Sequence, residues 1–106
     1  MSQKSFKTSE ALEAVTFDVD GEDFIAVAPN RLPANVLIKY SETVQAGKLY
    51  EAHKDFFAKV LEEDSALRFE QRLNGVEKEK TPITLQLMIE IAEYLITAYS
   101  DFDPKK

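Results

Sequence analysis

The sequence predicts a mainly helical α+β domain, an N-terminal β-hairpin packed on a compact array of about four helices. Three observations predict it. Two runs of alternating apolar and polar residues flank Asp20-Gly21, the strongest short-range hairpin signal. Later stretches place apolar residues three and four apart, the helical period, and are separated by Gly, Pro or Asn. The last of them, Thr81 to Ser100, is apolar on more than one face.

The first 12 residues are polar, of mixed charge and without periodicity, so they read as a flexible arm with a short helical piece at Ser9–Ala14. In V-T-F-D-V-D-G-E-D-F-I-A-V, a two-residue Asp20-Gly21 loop sets Phe17 opposite Phe24 and Val19 opposite Glu22. Val15, Phe17, Val19, Phe24 and Ala26 then share one face. Shifting the loop to Gly21-Glu22 keeps that set together. A lone two-stranded hairpin is marginal in water, so this face must lie on helices. Ile25 and Val27 fall on the opposite face.

Pro29, Asn30 and Pro33 punctuate the exit from the hairpin. A helix from about Pro33 to Gln45 follows, with Val36, Leu37, Tyr40 and Val44 inward and Gly47 placed to end it. The second helix spans about Lys48 to Glu62. Its stripe is Leu49, Ala52, Phe56 and Val60, widened by Phe57 and Leu61. Asp64 or Ser65 can cap a third helix with Ala66, Leu67, Phe69 and Leu73 inward, stopped by Asn74-Gly75. Val76 to Lys80 reads as a solvated loop. Thr81 can cap the last helix with Pro82 at its first position, and Thr84 is a rival cap. That helix has one stripe at Leu87, Ile91, Tyr94, Leu95 and Ala98. A second lies at Leu85, Met88, Ile89, Ala92, Ile96 and Tyr99. Either it runs through the centre of the domain or part of it awaits a partner. Residues 13–100 thus make one domain, and 101–106 a short polar tail.

Composition narrows the function classes. The 106 residues suit a single domain. With 19 acidic against 13 basic residues, net charge is −6, which argues against nucleic acid as a main partner because phosphate binding needs a basic stripe. The basic residues are scattered among acids. There is no cysteine, hence no disulfide and no thiolate chemistry. The N-terminus lacks the apolar core of a signal peptide. Gln86, Glu90 and Glu93 interrupt the apolar run of the last helix, which is too short and polar for a membrane span.

Candidate chemical constellations are weak. His53, the only histidine, is expected at the surface beside Phe56 and Phe57, and Asp55, two residues on, points to another side of the helix. Asp18, Asp20, Glu22 and Asp23 resemble half of a calcium loop. Setting Gly21 at the sixth position of an EF-hand loop puts Thr16 first and Val27 last, so the match fails. Turn chemistry and an exposed strand face explain these acids better. No glycine-rich phosphate loop exists, since the three glycines lie far apart. Phe56, Phe57 and Phe69 fall at core spacing rather than as a stacking platform. Catalytic, cofactor and metal residues are therefore expected to be absent.

In combination, the hairpin F-D-V-D-G-E-D-F, the proline-marked helix N-R-L-P-A-N-V-L-I-K-Y, the F-F-A-K-V-L and L-R-F-E-Q-R-L blocks and the final T-P-I-T-L-Q-L-M-I-E-I-A-E-Y-L-I resemble the small tail assembly chaperones of long-tailed bacteriophages. The residues that carry the resemblance are Phe17, Gly21 and Phe24, then Val60, Leu61, Asp64, Arg68, Phe69 and Leu73, then Ile83, Leu87, Ile91, Tyr94 and Leu95. It covers residues 14 to 100 and consists of apolar and turn patterns rather than a chemical signature. Family members often continue into a small-residue and proline-rich tail, where this chain has Asp101 to Lys106.

The resemblance implies a non-enzymatic chaperone that binds the tape measure protein, keeps it soluble and promotes polymerisation of the tail tube protein. It implies action in the host cytoplasm, outside the mature virion. It also implies a longer form made by ribosomal frameshifting, for which Lys105-Lys106 is a compatible slippery site, and the codons there test that. A holdase needs apolar surface for its client and net charge for solubility. The expected partner surface is Leu85, Ile89, Ile96 and Tyr99, with a homo-oligomer as a further outcome of the same surface. The alternative is a small acidic protein-binding regulatory module, an inhibitor or a nucleic-acid mimic. A mimic should array carboxylates with little intervening lysine, and this sequence mixes signs.

Overall fold

Asp20 and Gly21 have positive φ, 53° and 85°, as both central residues of a type I′ turn must. Asp is one of the few residues with a side chain that tolerates this region. The Asp18 side chain braces the turn by accepting the Gly21 N–H at 3.2 Å. The turn joins β1 (Val15–Val19) to β2 (Glu22–Ala26), antiparallel, with Phe17 opposite Phe24 and Val19 opposite Glu22. In a computed structural model, residues 13–76 and 78–100 are described. The expected arm, 1–12, and tail, 101–106, lie outside them, as does most of the helical piece expected at Ser9–Ala14. Its described residues, Glu13 and Ala14, are not helical.

Four helices follow a single 3-10 turn at Pro29–Arg31: α1 (Ala34–Gln45), α2 (Leu49–Val60), α3 (Glu63–Leu73) and α4 (Leu85–Ser100). The predicted architecture, a hairpin on an array of four helices, is the observed one. Pro33 stands just before α1, with extended backbone (φ −61°, ψ 139°), rather than inside its first turn. α1 and α3 end alike. Gly47 and Gly75 adopt positive φ, and the following N–H groups reach back to the open carbonyls. Lys48 N–H donates to Thr43 at 3.2 Å and Val76 N–H to Gln71 at 3.1 Å. These are Schellman caps, which satisfy the helix-end carbonyls.

The start of α3 departs from expectation. The helix begins at Glu63, and neither Asp64 nor Ser65 caps it. Leu61 and Glu62 stay extended and lie along the outer edge of β2. The Glu62 N–H donates to the Ile25 carbonyl and the Val27 N–H to the Val60 carbonyl, each at 2.9 Å. Ser65 is buried instead, its hydroxyl accepting the Ile25 N–H at 2.9 Å. At α4 the rival cap prevails. Thr84 Oγ1 accepts the Leu87 N–H at 3.2 Å, and the Thr84 carbonyl accepts the first helical bond from Met88. Thr81 to Ile83 are not helical: the Ile83 N–H bonds the Arg72 carbonyl at 3.0 Å and the Ile83 side chain is buried.

The core is a chain of rings. Phe17 stacks on Phe24 at 5.4 Å, Phe24 meets Phe69 edge-on at 5.6 Å, and Phe69 stacks on Phe57 at 4.4 Å. Phe57 meets Phe56 at 5.5 Å and Phe56 meets Tyr40 at 5.2 Å. The chain crosses from the hairpin through α3 and α2 to α1. α4 closes the assembly with Met88, Ile91, Ala92, Leu95 and Tyr99 buried.

Candidate partner surface

The two stripes read in the last helix are resolved by how α4 seats. Its buried face takes members of both: Ile91 and Leu95 from one, Met88, Ala92 and Tyr99 from the other. Tyr99 is a correction. It is 8% exposed and its hydroxyl donates to the Val27 carbonyl at 2.8 Å, so it belongs to the core of the isolated chain, not to an open surface. Burial pushes its hydroxyl up from the ordinary 10.0 to about 12. Leu85 is 50% exposed, Ile89 is half-buried, and Ile96 is half-buried and packed against the core. These three fall within about 40° of one another on the helix at about 100° per residue, so they form one apolar flank beside the buried face. Tyr94, from the other stripe, turns out to solvent on the opposite flank and donates its hydroxyl to the Thr16 carbonyl of β1 at 3.1 Å.

A second apolar feature lies between α2 and α3. It is a groove of about 280 Å³ lined by Phe57, Ala58, Ala66, Leu67, Phe69 and Leu73, with Lys54, Asp55 and Glu70 beside them. Leu67, expected inward, is 56% exposed there. The reason is a rotation of α3 by one position, since its buried residues are Ser65, Phe69 and Arg72.

Arg72 sits in the core at 5% exposure. It donates to Glu22 Oε1 at 2.9 Å, to Asp20 Oδ2 at 3.1 Å and to the Thr81 carbonyl at 2.7 Å. Arg68 holds the other Glu22 oxygen at 3.0 Å and Asp64 at 2.9 Å, and lies 4.9 Å from the Phe24 ring centre. Lys80 approaches Glu22 Oε2 at 3.5 Å. Burial alone would raise the Glu22 carboxyl. The bonds from Arg72 and Arg68 and the Lys80 charge outweigh it and hold the group below its ordinary value. A carboxylate so held is a poor proton acceptor, and the cavity beside it measures only about 40 Å³. The cluster is structural. The sequence carried one signal for it: Arg72 follows Phe69 by three and Ser65 by seven residues, a core position that a guanidinium occupies only with partners.

His53 is a second correction. It is 2% exposed rather than at the surface. Its Nδ1 faces the Leu49 carbonyl at 2.8 Å, and a carbonyl only accepts, so Nδ1 carries the proton. In the neutral ring Nε2 then accepts from the Tyr40 hydroxyl at 3.0 Å. The pair ties α1 to α2. Among the described residues, no group of three histidines or acids is placed to hold a metal ion, and no helix is long and apolar enough to cross a membrane. No protein-family model, no curated protein and no solved structure matches this chain.

Proposed function

We propose that this protein is a non-enzymatic tail assembly chaperone of long-tailed bacteriophages. It binds the tape measure protein in the host cytoplasm, keeps it soluble and favours tube polymerisation around it. The observation that carries this reading is the apolar flank of α4. One face of the helix is spent on the core, yet Leu85 and Ile89 leave apolar surface beside it. A helical client can lay an apolar stripe on such a flank. The acidic balance supports solubility of a complex with a long client.

The test is co-expression with the tape measure protein encoded downstream. The wild type is expected to keep it soluble and to co-purify with it. Leu85→Asp with Ile89→Asp is expected to abolish both while leaving the thermal transition in place. A client that stays insoluble with the wild type counts against the chaperone and for the acidic regulatory module. Loss of binding in Leu67→Asp but not in the α4 variant moves the client to the α2–α3 groove.

A further inference from the structure

Among the described residues, the two outer edges of the hairpin are covered unequally. In a two-residue hairpin the pair flanking the turn is hydrogen-bonded and pairs alternate from there. Val19–Glu22, Phe17–Phe24 and Val15–Ala26 therefore bond each other, while Thr16, Asp18, Asp23 and Ile25 point their backbone groups outward. On β2 that outer edge is covered at Ile25, bonded through both N–H and carbonyl to Ser65 and Glu62, and only Asp23 beside the turn makes no such bond among the described residues. On β1 only the Thr16 carbonyl has a partner among the described residues, the Tyr94 hydroxyl. The N–H groups of Thr16 and Asp18 have none there.

Burial stops short on the same side. Phe24 and Ala26 are 0% exposed, but the residues opposite them, Phe17 and Val15, are only half-buried. The apolar face of the sheet thus ends one strand early. The hairpin and α4 themselves carry charge of one sign. β1, the turn, β2 and α4 carry Asp18, Asp20, Glu22, Asp23, Glu90 and Glu93 and no Lys or Arg. Asp20 and Glu22 are neutralised by Arg72 and Arg68, whereas Asp18 and Asp23 form no ion pair among the described residues. A second copy of β1 would bring its own Asp18 against this edge, which like charge disfavours.

We propose that the free edge of β1 takes up an extended segment of a partner protein in which apolar side chains alternate with Lys or Arg. The segment adds a strand beside β1. Its backbone carbonyls accept the Thr16 and Asp18 N–H groups, its apolar side chains extend the face of Val15 and Phe17, and its cations face Asp18. Tyr94 yields the Thr16 carbonyl as the strand arrives. This surface is separate from Leu85 and Ile89, which lie on the far side of α4 from Tyr94, so it stands whether or not the client is a tape measure protein.

The full chain is titrated with a short acetylated peptide of alternating valine and lysine, following amide exchange at Thr16 and Asp18 by NMR. The peptide is expected to bind and to protect both amides. Thr16→Pro removes an outward N–H that makes no ladder bond. It is expected to weaken binding about tenfold, the effect of one backbone hydrogen bond. Asp18→Asn keeps an oxygen for the Gly21 N–H but loses the charge, and is expected to weaken binding and its salt dependence even if the proline variant fails to fold. Tyr94→Phe frees the Thr16 carbonyl and should tighten binding. Equal binding of the valine–glutamate peptide, or of the same lysines and valines in two blocks, overturns the proposal, as does binding without protection at Thr16 and Asp18. Binding that appears only after deletion of residues 1–12 overturns it in favour of the chain's own arm. Self-association lost in Thr16→Pro overturns it in favour of a second copy.

Discussion

Arg72 is the side chain on which most separate segments converge. It joins the turn of the hairpin, α3 and the approach to α4 through Glu22, Asp20 and Thr81. Removing one member of a buried ion pair strands the other, so Arg72→Ala should lower unfolding free energy by about 3–5 kcal/mol in denaturant titration. Arg72→Lys should recover little, since a single ammonium cannot bridge Glu22 and Thr81 together. The same network sets acid behaviour. The folded Glu22 carboxyl is held below its ordinary 4.5, so the unfolded chain takes up the proton first as pH falls. The stabilisation is full above about that value and is lost as pH drops through the lower folded value. Glu22→Gln should flatten stability against pH in that acid range. At the other extreme, Tyr99 titrates at about 12 instead of 10.0. Between those values the unfolded chain has released a proton that the folded chain retains, so stability falls as pH rises. Tyr99→Phe should lessen that alkaline decline, as read by thermal melts across the interval; burial also raises the Tyr40 hydroxyl, which keeps part of it. Neither residue's role was legible in the sequence. Glu22 lies 50 residues from Arg72 and Val27 lies 72 from Tyr99, beyond the reach of any local spacing.

Among the elements, the hairpin was the most legible, because a two-residue Asp-Gly turn dictates the register of every pair that follows it. The helix ends marked by Gly47 and Asn74-Gly75 were legible for the same reason, that positive φ is open to few residues. At Gly47 nothing lies within 4 Å of where a Cβ would stand, so the penalty for Gly47→Ala is conformational alone, about 1 kcal/mol by chemical denaturation. Helix starts were read less well. Thr81, Asp64 and Ser65 have the chemistry of caps, but Arg72 claims the Thr81 carbonyl and the β2 edge claims Ser65. The inward stripe of α3 was legible in part: Phe69 is buried and Ala66 and Leu73 pack on the core, but Leu67 is exposed because Ser65 and Arg72, both polar, take core positions that hydrophobic periodicity cannot detect. For α4 the apolar composition was plain, and the division between core and flank depended on how the helix was rotated. Leu85→Asp alone should change stability by no more than about 0.5 kcal/mol, whereas Met88→Asp, at a fully buried position, should prevent folding.

At the scale of the whole molecule, the ring chain makes the hairpin and three helices one cooperative unit. The intact chain is expected to melt in a single thermal transition, and Phe69→Ala, cutting the link between Phe24 and Phe57, should cost about 3–5 kcal/mol and broaden or abolish it. The closing of that unit also has a schedule. The hairpin is made first, yet its apolar face rests on residues of α3, and the Val27 carbonyl waits for the Tyr99 hydroxyl near the end of α4. During synthesis at 5–20 residues per second, roughly 4–15 s separate the emergence of Ala26 from that of Tyr99. Through that interval β1 and β2 have no finished core to fold against, and a lone hairpin is marginal. A nascent chain stalled before α4 should therefore be cleaved readily by protease, and release of the full chain should bring resistance in one step.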